Sequence, residues 1–475
     1  MTEDCSYTME IQTKKGDFYW SYITQFFSVL SGIIVLPYML TKLNESEIGL
    51  NYIMLTITGF VTLLDFGFAP QLGRNITYIF SGSQSLKTTG IEEVKGEINY
   101  TLLKSAILAA KYVYNRLSYI VFILLITLGF VYVYFITLRF TSVQNVEIIW
   151  LIFSFSIAVN IKISYYSSLL NGKGLIAEAR KALFYSKLTY TGVVFILLFF
   201  NFKLFSIIIG NFLAILIYWY FSHKYFFTNE FNKLIEKLYV EKKEVIEVIN
   251  TIKYNAIKLG AVYFGGFVVS RFSLLIISLF LPLNIVGSYG LMVQLSGLIA
   301  TVSLTLFTVY QTRLSNLLVL NKNEELKNEF ALTIFMFFLL FFIGALLFVF
   351  SSNFLLTLIK SKISLPSILI LCVYLIVVFL ESNFTIFTSF ITLNNEIPYV
   401  KSTLISGLII LILLFFSLKF TNLDLIGVVL IPGFIQLLYN YWKWPLFVLK
   451  ELKINYFQLL QLGMKQAVLI LKLRK

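Results

Sequence analysis

Four ionisable residues lie inside long apolar stretches of this 475-residue chain. They are Asp65, Lys162, Arg271 and Glu381. A charged side chain at the centre of a bilayer costs about 2.5 to 3.5 kcal/mol on insertion scales. Each of the four is therefore predicted to face a cavity, to pair with an opposite charge, or to do both.

Arg271 lies near the middle of the apolar run at 259–281, too deep for its side chain to reach water. The planar guanidinium of an arginine binds phosphate or carboxylate through two parallel hydrogen bonds. One hypothesis is that Arg271 binds an anion such as a phosphate. The other is that it forms a structural ion pair with Glu381 or Asp65.

Glu381 belongs to a polar stripe on an otherwise apolar helix. At helical spacing it shares one face with Tyr374, Thr385, Thr388 and Thr392. A carboxylate in such a stripe can bind and release a proton during transport. The same stripe can instead form hydrogen bonds between helices, and both interpretations stay open.

Asp65 and Lys162 lie nearer the ends of their apolar runs. Asp65 is predicted to cap a helix or to pair with Arg74, and a role in transport is the second hypothesis. Lys162 lies opposite a polar stripe that extends from Ser156 to Ser168, so only one of the two can face a cavity.

Uncharged polar residues mark two further runs. Gln25 lies on the first apolar run, and Gln294 begins a row that continues with Thr301 and Thr305. Amides and hydroxyls bind sugars, and they also join helices through hydrogen bonds.

The sequence has one histidine and neither a metal-ligand cluster nor a glycine-rich phosphate loop. No metal cofactor is expected, and H⁺ or Na⁺ is the expected coupling ion.

About twelve apolar runs carry these residues, each close to the roughly 20 residues that a helix needs to cross the hydrocarbon layer. The chain is 58% hydrophobic and 13% charged, too apolar for a surface in contact with water. The runs are continuously apolar rather than alternating, which favours helices over a barrel of strands. The predicted fold is all-α: a polytopic membrane protein with two six-helix lobes around a central cavity.

The placement of basic residues predicts the orientation. Most of them fall in alternate loops and in the two tails, and the opposite side carries only Lys42, Arg139, Lys203, Lys360, Lys362 and Lys419. Because basic residues concentrate in cytoplasmic loops, both termini are predicted to be cytoplasmic in a plasma (inner) membrane. The net charge of +14 reflects this bias and not nucleic-acid binding.

The same pattern divides the chain into five segments. They are a cytoplasmic tail at 1–17, lobes at 18–222 and 259–442, an amphipathic cytoplasmic linker at 223–258 and a basic amphipathic tail at 443–475. Membrane lipids are the expected partner of the linker and the last tail. A short internal repeat supports two lobes, since Leu43, Asn44, Gly49 and Leu50 recur as Leu283, Asn284, Gly290 and Leu291.

Several motifs resemble a known family. They are Gln25, Ser31-Gly32, Leu36-Pro37, Glu47-Ile48-Gly49-Leu50, Leu63-Leu64-Asp65-Phe66-Gly67 with Arg74, and Val286-Gly287-Ser288-Tyr289. With these motifs the chain resembles bacterial polysaccharide repeat-unit flippases of the multidrug/oligosaccharidyl-lipid/polysaccharide exporter superfamily. The Leu-Asp-Phe-Gly element with the downstream arginine is the most specific part of this resemblance.

The resemblance implies a transporter and not an enzyme. It implies a flippase that moves undecaprenyl-diphosphate-linked oligosaccharides from the inner to the outer leaflet by alternating access, for O-antigen (lipopolysaccharide) or capsule assembly. The implied partners are a polysaccharide polymerase and a chain-length regulator. The implied cavity is cationic, with Arg74 and Arg313 contributing to it, and transport is coupled to an ion gradient.

Two other classes stay open. One is a drug/cation antiporter of the same superfamily, which has a more apolar cavity with acidic residues. The other is a membrane-embedded polysaccharide polymerase, which also acts on polyprenyl-linked sugars. The short predicted outer loops disfavour the polymerase, because that class places its reactive residues on a large external loop.

Overall fold

The computed structural model describes residues 15–65, 67–87, 97–140, 143–270, 272–319, 322–394, 398–421 and 423–473. These ranges consist of helices and short connections, and no strand occurs in them. Eleven of the helical segments described are long and apolar enough to cross a membrane. The prediction of an all-α polytopic membrane protein is confirmed.

The chain forms two compact units, Met1–Phe264 and Gly265–Lys475. The helices of the first unit are α1 (Lys15–Lys42), α2 (Glu45–Thr62), α3 (Phe68–Phe80), α4 (Tyr100–Leu124), α5 (Phe130–Phe140), α6 (Val146–Ile163), α7 (Tyr165–Gly172), α8 (Ile176–Phe199), α9 (Leu204–Phe226), α10 (Asn229–Glu236) and most of α11 (Lys242–Ser270). Those of the second unit are α12 (Phe272–Phe280), α13 (Leu283–Val319), α14 (Asn323–Leu358), α15 (Ile368–Ile391), α16 (Val400–Phe420), α17 (Asp424–Leu438), α18 (Asn440–Glu451) and α19 (Tyr456–Leu473).

One predicted span, at 259–281, is not among the eleven. Residue 271 lies outside the described residues, so this span is described as the end of α11 and the whole of α12. Helix α11 also begins in the lysine- and glutamate-rich linker, and this polar start makes the helix less apolar as a whole. This is the one of the about twelve predicted spans that the eleven candidates among the described residues do not include.

The helix that follows the first predicted repeat motif is broken, and the helix that follows the second is continuous. Asn44 caps α2 through a capping box, in which its side chain accepts from the Glu47 N–H and Glu47 accepts from the Asn44 N–H. After a 3₁₀ turn at Leu63–Asp65, Gly67 adopts a left-handed conformation (φ 74°) and α3 begins. In the second unit, α13 begins at Leu283 and continues for 37 residues.

Glycines allow close contacts between helices of the first unit. A Cβ atom on Gly210 of α9 would lie 2.5 Å from Val194 of α8. A Cβ atom on Gly172 of α7 would lie 2.7 Å from the carbonyl oxygen of Gly73 in α3. Lipid is as apolar as the helices, so such close approach supplies the packing energy that holds a membrane bundle together.

Aromatic residues form the core of the second unit. Phe330 and Phe337 of α14 and Phe387 and Phe390 of α15 are fully buried, and the Phe330 and Phe390 ring centroids are 4.4 Å apart. Phe350, on the same helix α14, is 81% exposed. A helix with aromatic residues both inside and outside is expected where the surrounding solvent is hydrocarbon.

The predicted linker is attached to the first unit. Lys104 of α4 donates from Nζ to the carbonyl oxygens of Ile235 (2.9 Å) and Leu238 (2.7 Å) at the end of α10. Lys173 places its Nζ 4.4 Å from the ring centroid of Phe231 in α10 and close to two other phenylalanine rings. Burial lowers the pKa of the Lys173 ammonium. Helix α10 is thus held by protein contacts, which the prediction of a lipid-bound linker did not include.

The last helix, α19, packs along α14. Leu459 is fully buried, and a Cβ atom on Gly463 would overlap the carbonyl oxygen of Ala331. The Tyr456 hydroxyl accepts a hydrogen bond of 2.8 Å from the side-chain amide of Asn383 in α15. The tail is therefore an integral part of the second unit.

Candidate functional site

A cavity of about 190 Å³ lies inside the second unit, beside Glu381 of α15. Helices α12, α13, α15, α17 and α18 all contribute to its wall. The polar side chains of the described lining are Ser273, Tyr289, Tyr374, Glu381, Ser382 and Tyr441. Among the described lining residues, Glu381 is the only acid and none is basic. The cavity is thus mostly aromatic and aliphatic, with one carboxylate.

Several hydroxyl groups line the same cavity as this carboxylate. The Tyr441 hydroxyl donates a hydrogen bond to Glu381 Oε2 at 3.0 Å. Ser273 Oγ and the Tyr289 hydroxyl oxygen are 3.3 Å apart, and the ring centroids of Tyr289 and Tyr374 are 6.0 Å apart. Buried hydroxyls of this kind can donate to a carboxylate or turn their lone pairs toward a cation.

The polar stripe of α15 divides into two groups. Tyr374 and Glu381 line the cavity. The threonines bond to their own helix instead: Thr385 Oγ1 donates to the Glu381 carbonyl at 2.8 Å, and Thr388 and Thr392 donate to carbonyls four and three residues earlier. Among the described residues, the interhelical hydrogen bond of this stripe is therefore made by Glu381 with Tyr441 of α18 and not by the threonine hydroxyls.

Helix α17 brings a backbone feature to the same cavity. Pro432 has no N–H, so the carbonyl oxygen of Val428 loses its donor within the helix. Both residues line the cavity. The next residue, Gly433, allows α17 to approach α15, because a Cβ atom there would lie 2.6 Å from Val377. A carboxylate, hydroxyls and this carbonyl are oxygen ligands of the kind that hard cations prefer.

Asp65 has a structural position in the first unit. Its carboxylate accepts from the Gly67 N–H at 2.7 Å, from the Ala69 N–H at 3.4 Å and from the buried Tyr114 hydroxyl at 3.3 Å. It thereby caps α3, where Gly67 itself has no capping side chain. The alternative pair with Arg74 is not formed in the described part of the chain, where Arg74 is exposed.

Lys162 is exposed near the end of α6. The opposite serine stripe is buried: Ser156 is 1% exposed, and Ser168 donates from Oγ to the carbonyl oxygen of Ala69 at 2.7 Å. The stripe therefore packs against other helices, and Lys162 is on the accessible side. No acidic partner of Lys162 occurs among the described residues.

The structure describes two of the four remaining predicted residues, Gln25 and Gln294. Gln25 is exposed on α1, and Gln294 is half-buried on α13, next to Val293 of the cavity wall but outside the described lining. Arg271 lies outside the described residues, as does the side chain of Arg313 on α13.

Sequence reasoning missed two features of these sites. Lys187 is not among the four ionisable residues that the sequence analysis placed within spans, yet α8 begins at Ile176, which puts Lys187 at the middle of that 24-residue helix. It is half-buried on the face toward α1, between the contacts of Phe27 with Phe184 and of Ser31 with Thr191. The glutamate and lysine at positions 178 and 181, three residues apart, could have marked the earlier helix start.

Tyr441 is the second missed feature. It follows Glu381 by 60 residues and comes from a different helix, so no spacing rule connects the two. Only the fold places the tyrosine hydroxyl at the carboxylate.

A larger pocket of about 590 Å³ lies in the first unit, at the ends of α4 and α11. Its wall includes Gln84, Asn99, Ser105, Glu244 and Glu247, and Ser105 donates to Glu244 at 3.3 Å. No basic residue belongs to its described lining, so it offers no charge to a phosphate.

Comparison with solved structures identifies the fold. A multidrug resistance MATE family transporter of the MOP superfamily, in an inward-facing conformation, matches with a TM-score of 0.64 over 89% of this chain and 95% of its own, at 10% identity. The lipid II flippase MurJ, in an inward closed conformation, matches with a TM-score of 0.60 over 95% of this chain and 91% of its own, at 17% identity.

A third match is the MATE transporter ClbM in complex with Rb⁺, with a TM-score of 0.54 over 96% of this chain and 99% of its own, at 13% identity. No protein-family model and no curated protein sequence matches the chain. At these identities the matches establish the fold alone, which the chain shares with these three proteins.

Proposed function

We propose that this chain is a flippase that translocates undecaprenyl-diphosphate-linked oligosaccharides across a bacterial plasma membrane, for O-antigen or capsule assembly. The MOP fold is that of both a lipid II flippase and multidrug transporters, so the fold is compatible with a lipid-linked substrate. The Leu-Asp-Phe-Gly motif with Arg74 adds the resemblance to polysaccharide flippases.

The proposal of an anionic substrate rests on basic side chains within the spans of the first unit. Lys162 and Lys187 lie on membrane helices and have no acidic partner among the described residues. An unpaired ammonium in a span is costly unless an anion reaches it during function. A diphosphate group supplies that anion, whereas a cationic drug would be repelled.

Glu381 supplies the coupling in this proposal. A carboxylate within a closed apolar cavity binds a proton or a monovalent cation more strongly than it does when water has access. A bound ion shifts the balance between two conformations only if its affinity differs between them. Alternate opening and closing of the Glu381 cavity provides that difference. The solved complex of a MATE transporter with Rb⁺ is consistent with cation binding on this fold.

A drug/cation antiporter is the second candidate. The observation that favours it is the Glu381 cavity itself, where a single carboxylate is surrounded by aromatic and aliphatic side chains without a basic residue in the described lining. Organic cations bind in such surroundings through charge and ring contacts.

Two transport assays on reconstituted protein separate the candidates. The first measures translocation of a fluorescent undecaprenyl-diphosphate oligosaccharide, and the second measures ethidium uptake into the same proteoliposomes under a pH or Na⁺ gradient. We expect the first to be active and the second to be inactive. Ethidium transport without lipid translocation would overturn the flippase proposal.

A matched pair of lysine variants tests the anion contact. Lys187→Gln should reduce translocation about tenfold, the scale of one hydrogen bond to a charged group. Lys181→Gln is the control, because Lys181 lies on the same helix but is 3.9 Å from Glu178 and near the start of the helix. Equal activity of the two variants would contradict a role for Lys187.

A further inference from the structure

The last membrane span is broken beside the residue that contacts Glu381. Helix α17 ends at Leu438 and α18 begins at Asn440. Tyr439, between them, has φ −144° and ψ −60°, outside the helical region. Tyr441 is the second residue after the break, so the angle of the break sets the direction of its side chain.

One buried amide bridges this break. The Asn440 side-chain N–H₂ donates to Gln436 Oε1 at 2.6 Å, across the break, and to Ser406 Oγ of α16 at 3.3 Å. Asn440 Oδ1 accepts from Trp444 Nε1 at 3.1 Å. Asn440 and Gln436 are each 1% exposed. The amide of Asn440 therefore joins the end of α17, the start of α18 and the neighbouring helix α16.

This arrangement is costly, which argues that it does more than fill space. The Gln436 side-chain nitrogen is buried and has no hydrogen-bond partner among the described residues. A buried donor without a partner destabilises a fold, and an apolar residue at that position would avoid the loss. Gln436 also follows Val429 and Pro432 of the cavity wall at helical spacing, so it lies on the same face of α17.

We propose that Asn440 is a positioning residue, whose amide fixes the break between α17 and α18 so that the Tyr441 hydroxyl meets Glu381. This inference rests on the proposed coupling role of Glu381. The titratable groups that face Glu381 across the cavity are Tyr441 of α18, Tyr289 of α13 and Tyr374 of its own helix. The described wall carries no positive charge, so Tyr441 is the polar contact that Asn440 can control.

A double-mutant cycle tests the inference. Tyr441→Phe, Asn440→Ala and the double variant are reconstituted, and translocation of the fluorescent undecaprenyl-diphosphate oligosaccharide is measured over a series of pH values. Tyr441→Phe should lower the rate about tenfold and displace the pH profile, since it removes one hydrogen bond to a charged group. Asn440→Ala should reproduce both changes, and the double variant should be no worse than Tyr441→Phe.

Asn383→Ala is the matched control. Asn383 is also a buried asparagine whose amide joins two helices, but it bonds to Tyr456 of α19, away from the cavity lining. Its loss should leave the pH profile unchanged. If Asn440→Ala fails to accumulate, Ser406→Ala and Trp444→Phe each remove one of the Asn440 hydrogen bonds and should displace the profile in the same direction.

The outcomes distinguish this inference from the proposal on which it rests. Losses that multiply in the double variant, to about a hundredfold, would show that Asn440 acts independently of Tyr441. An unchanged profile in all Asn440, Ser406 and Trp444 variants would also overturn the positioning role. If Glu381→Gln itself keeps the wild-type rate and profile, the coupling role fails first.

Discussion

Replacing Asp65 should reduce the stability of the protein and leave transport by the folded molecules intact. The carboxylate accepts one short hydrogen bond, from the Gly67 N–H at 2.7 Å, and two longer ones, from Ala69 and Tyr114. All three partners belong to the start of α3 or to the helix packed against it. The side chain thus stabilises a helix junction, and no described contact leads from it to a cavity.

The expected magnitude follows from these contacts. Loss of a helix cap costs about 0.5 to 2 kcal/mol of unfolding free energy. The hydrogen bond from the Tyr114 hydroxyl to the carboxylate adds about 1 kcal/mol. This is less than is usual for a charged acceptor, because the length of 3.3 Å is beyond the usual range. Asp65→Ala should therefore lose about 1.5 to 3 kcal/mol in total. Asp65→Asn should lose about half of that, because the amide oxygen can still accept from the Gly67 N–H.

Thermal unfolding in detergent checks the order of stability, which should be wild type, then Asp65→Asn, then Asp65→Ala. Translocation rates are then divided by the amount of folded protein in the same proteoliposomes. Glu381→Gln provides the opposite pattern, with normal unfolding and impaired transport. A variant Asp65→Asn that unfolds like the wild type but does not transport would refute the capping role and return Asp65 to the transport path.

Three other predictions concern separate parts of the chain. Gly433→Ala should cost about 1 to 3 kcal/mol and slow transport, because the added methyl group would displace Val377 from the cavity wall; thermal unfolding and translocation rates measure both effects. Lys173→Ala should make the linker several-fold more sensitive to limited proteolysis, since three phenylalanine rings lose the side chain that they surround. Reporter fusions after Lys203 and after Lys243 should indicate opposite sides of the membrane, and the same side for both would contradict the predicted orientation.

The fold class could be predicted from the sequence because the bilayer imposes one simple requirement, a continuous apolar helix of sufficient length. The ends of helices were less predictable. The apolar run that marks α8 begins near Leu183, while the helix begins at Ile176. Side chains such as Arg180 and Lys181 extend a membrane helix into the interface without appearing in its apolar pattern. Because the start of the helix was placed too late, Lys187 was not recognised as a residue at the middle of a helix.

The candidate site was predicted only in part. Spacing on one helix identified Tyr374 and Glu381 as members of a common face, and both line the cavity. The same spacing included Thr385, whose hydroxyl donates to the Glu381 carbonyl of its own helix. Hydropathy does not predict whether a threonine hydroxyl bonds within its helix or to another helix. Tyr441 could not be found, because contacts between distant helices depend on packing that local patterns do not encode.

The break between α2 and α3 has a mechanical consequence. A continuous α-helix resists bending, whereas a helix interrupted by a 3₁₀ turn and a left-handed glycine has a joint at that point. The 37-residue α13 is a rod, and α2 and α3 are two shorter rods connected at Gly67. The two segments that follow the predicted repeat motifs thus differ in stiffness. Asp65 lies on the α2 side of that joint, and its carboxylate bonds to Gly67 and to Ala69 of α3, so it limits how freely the joint turns.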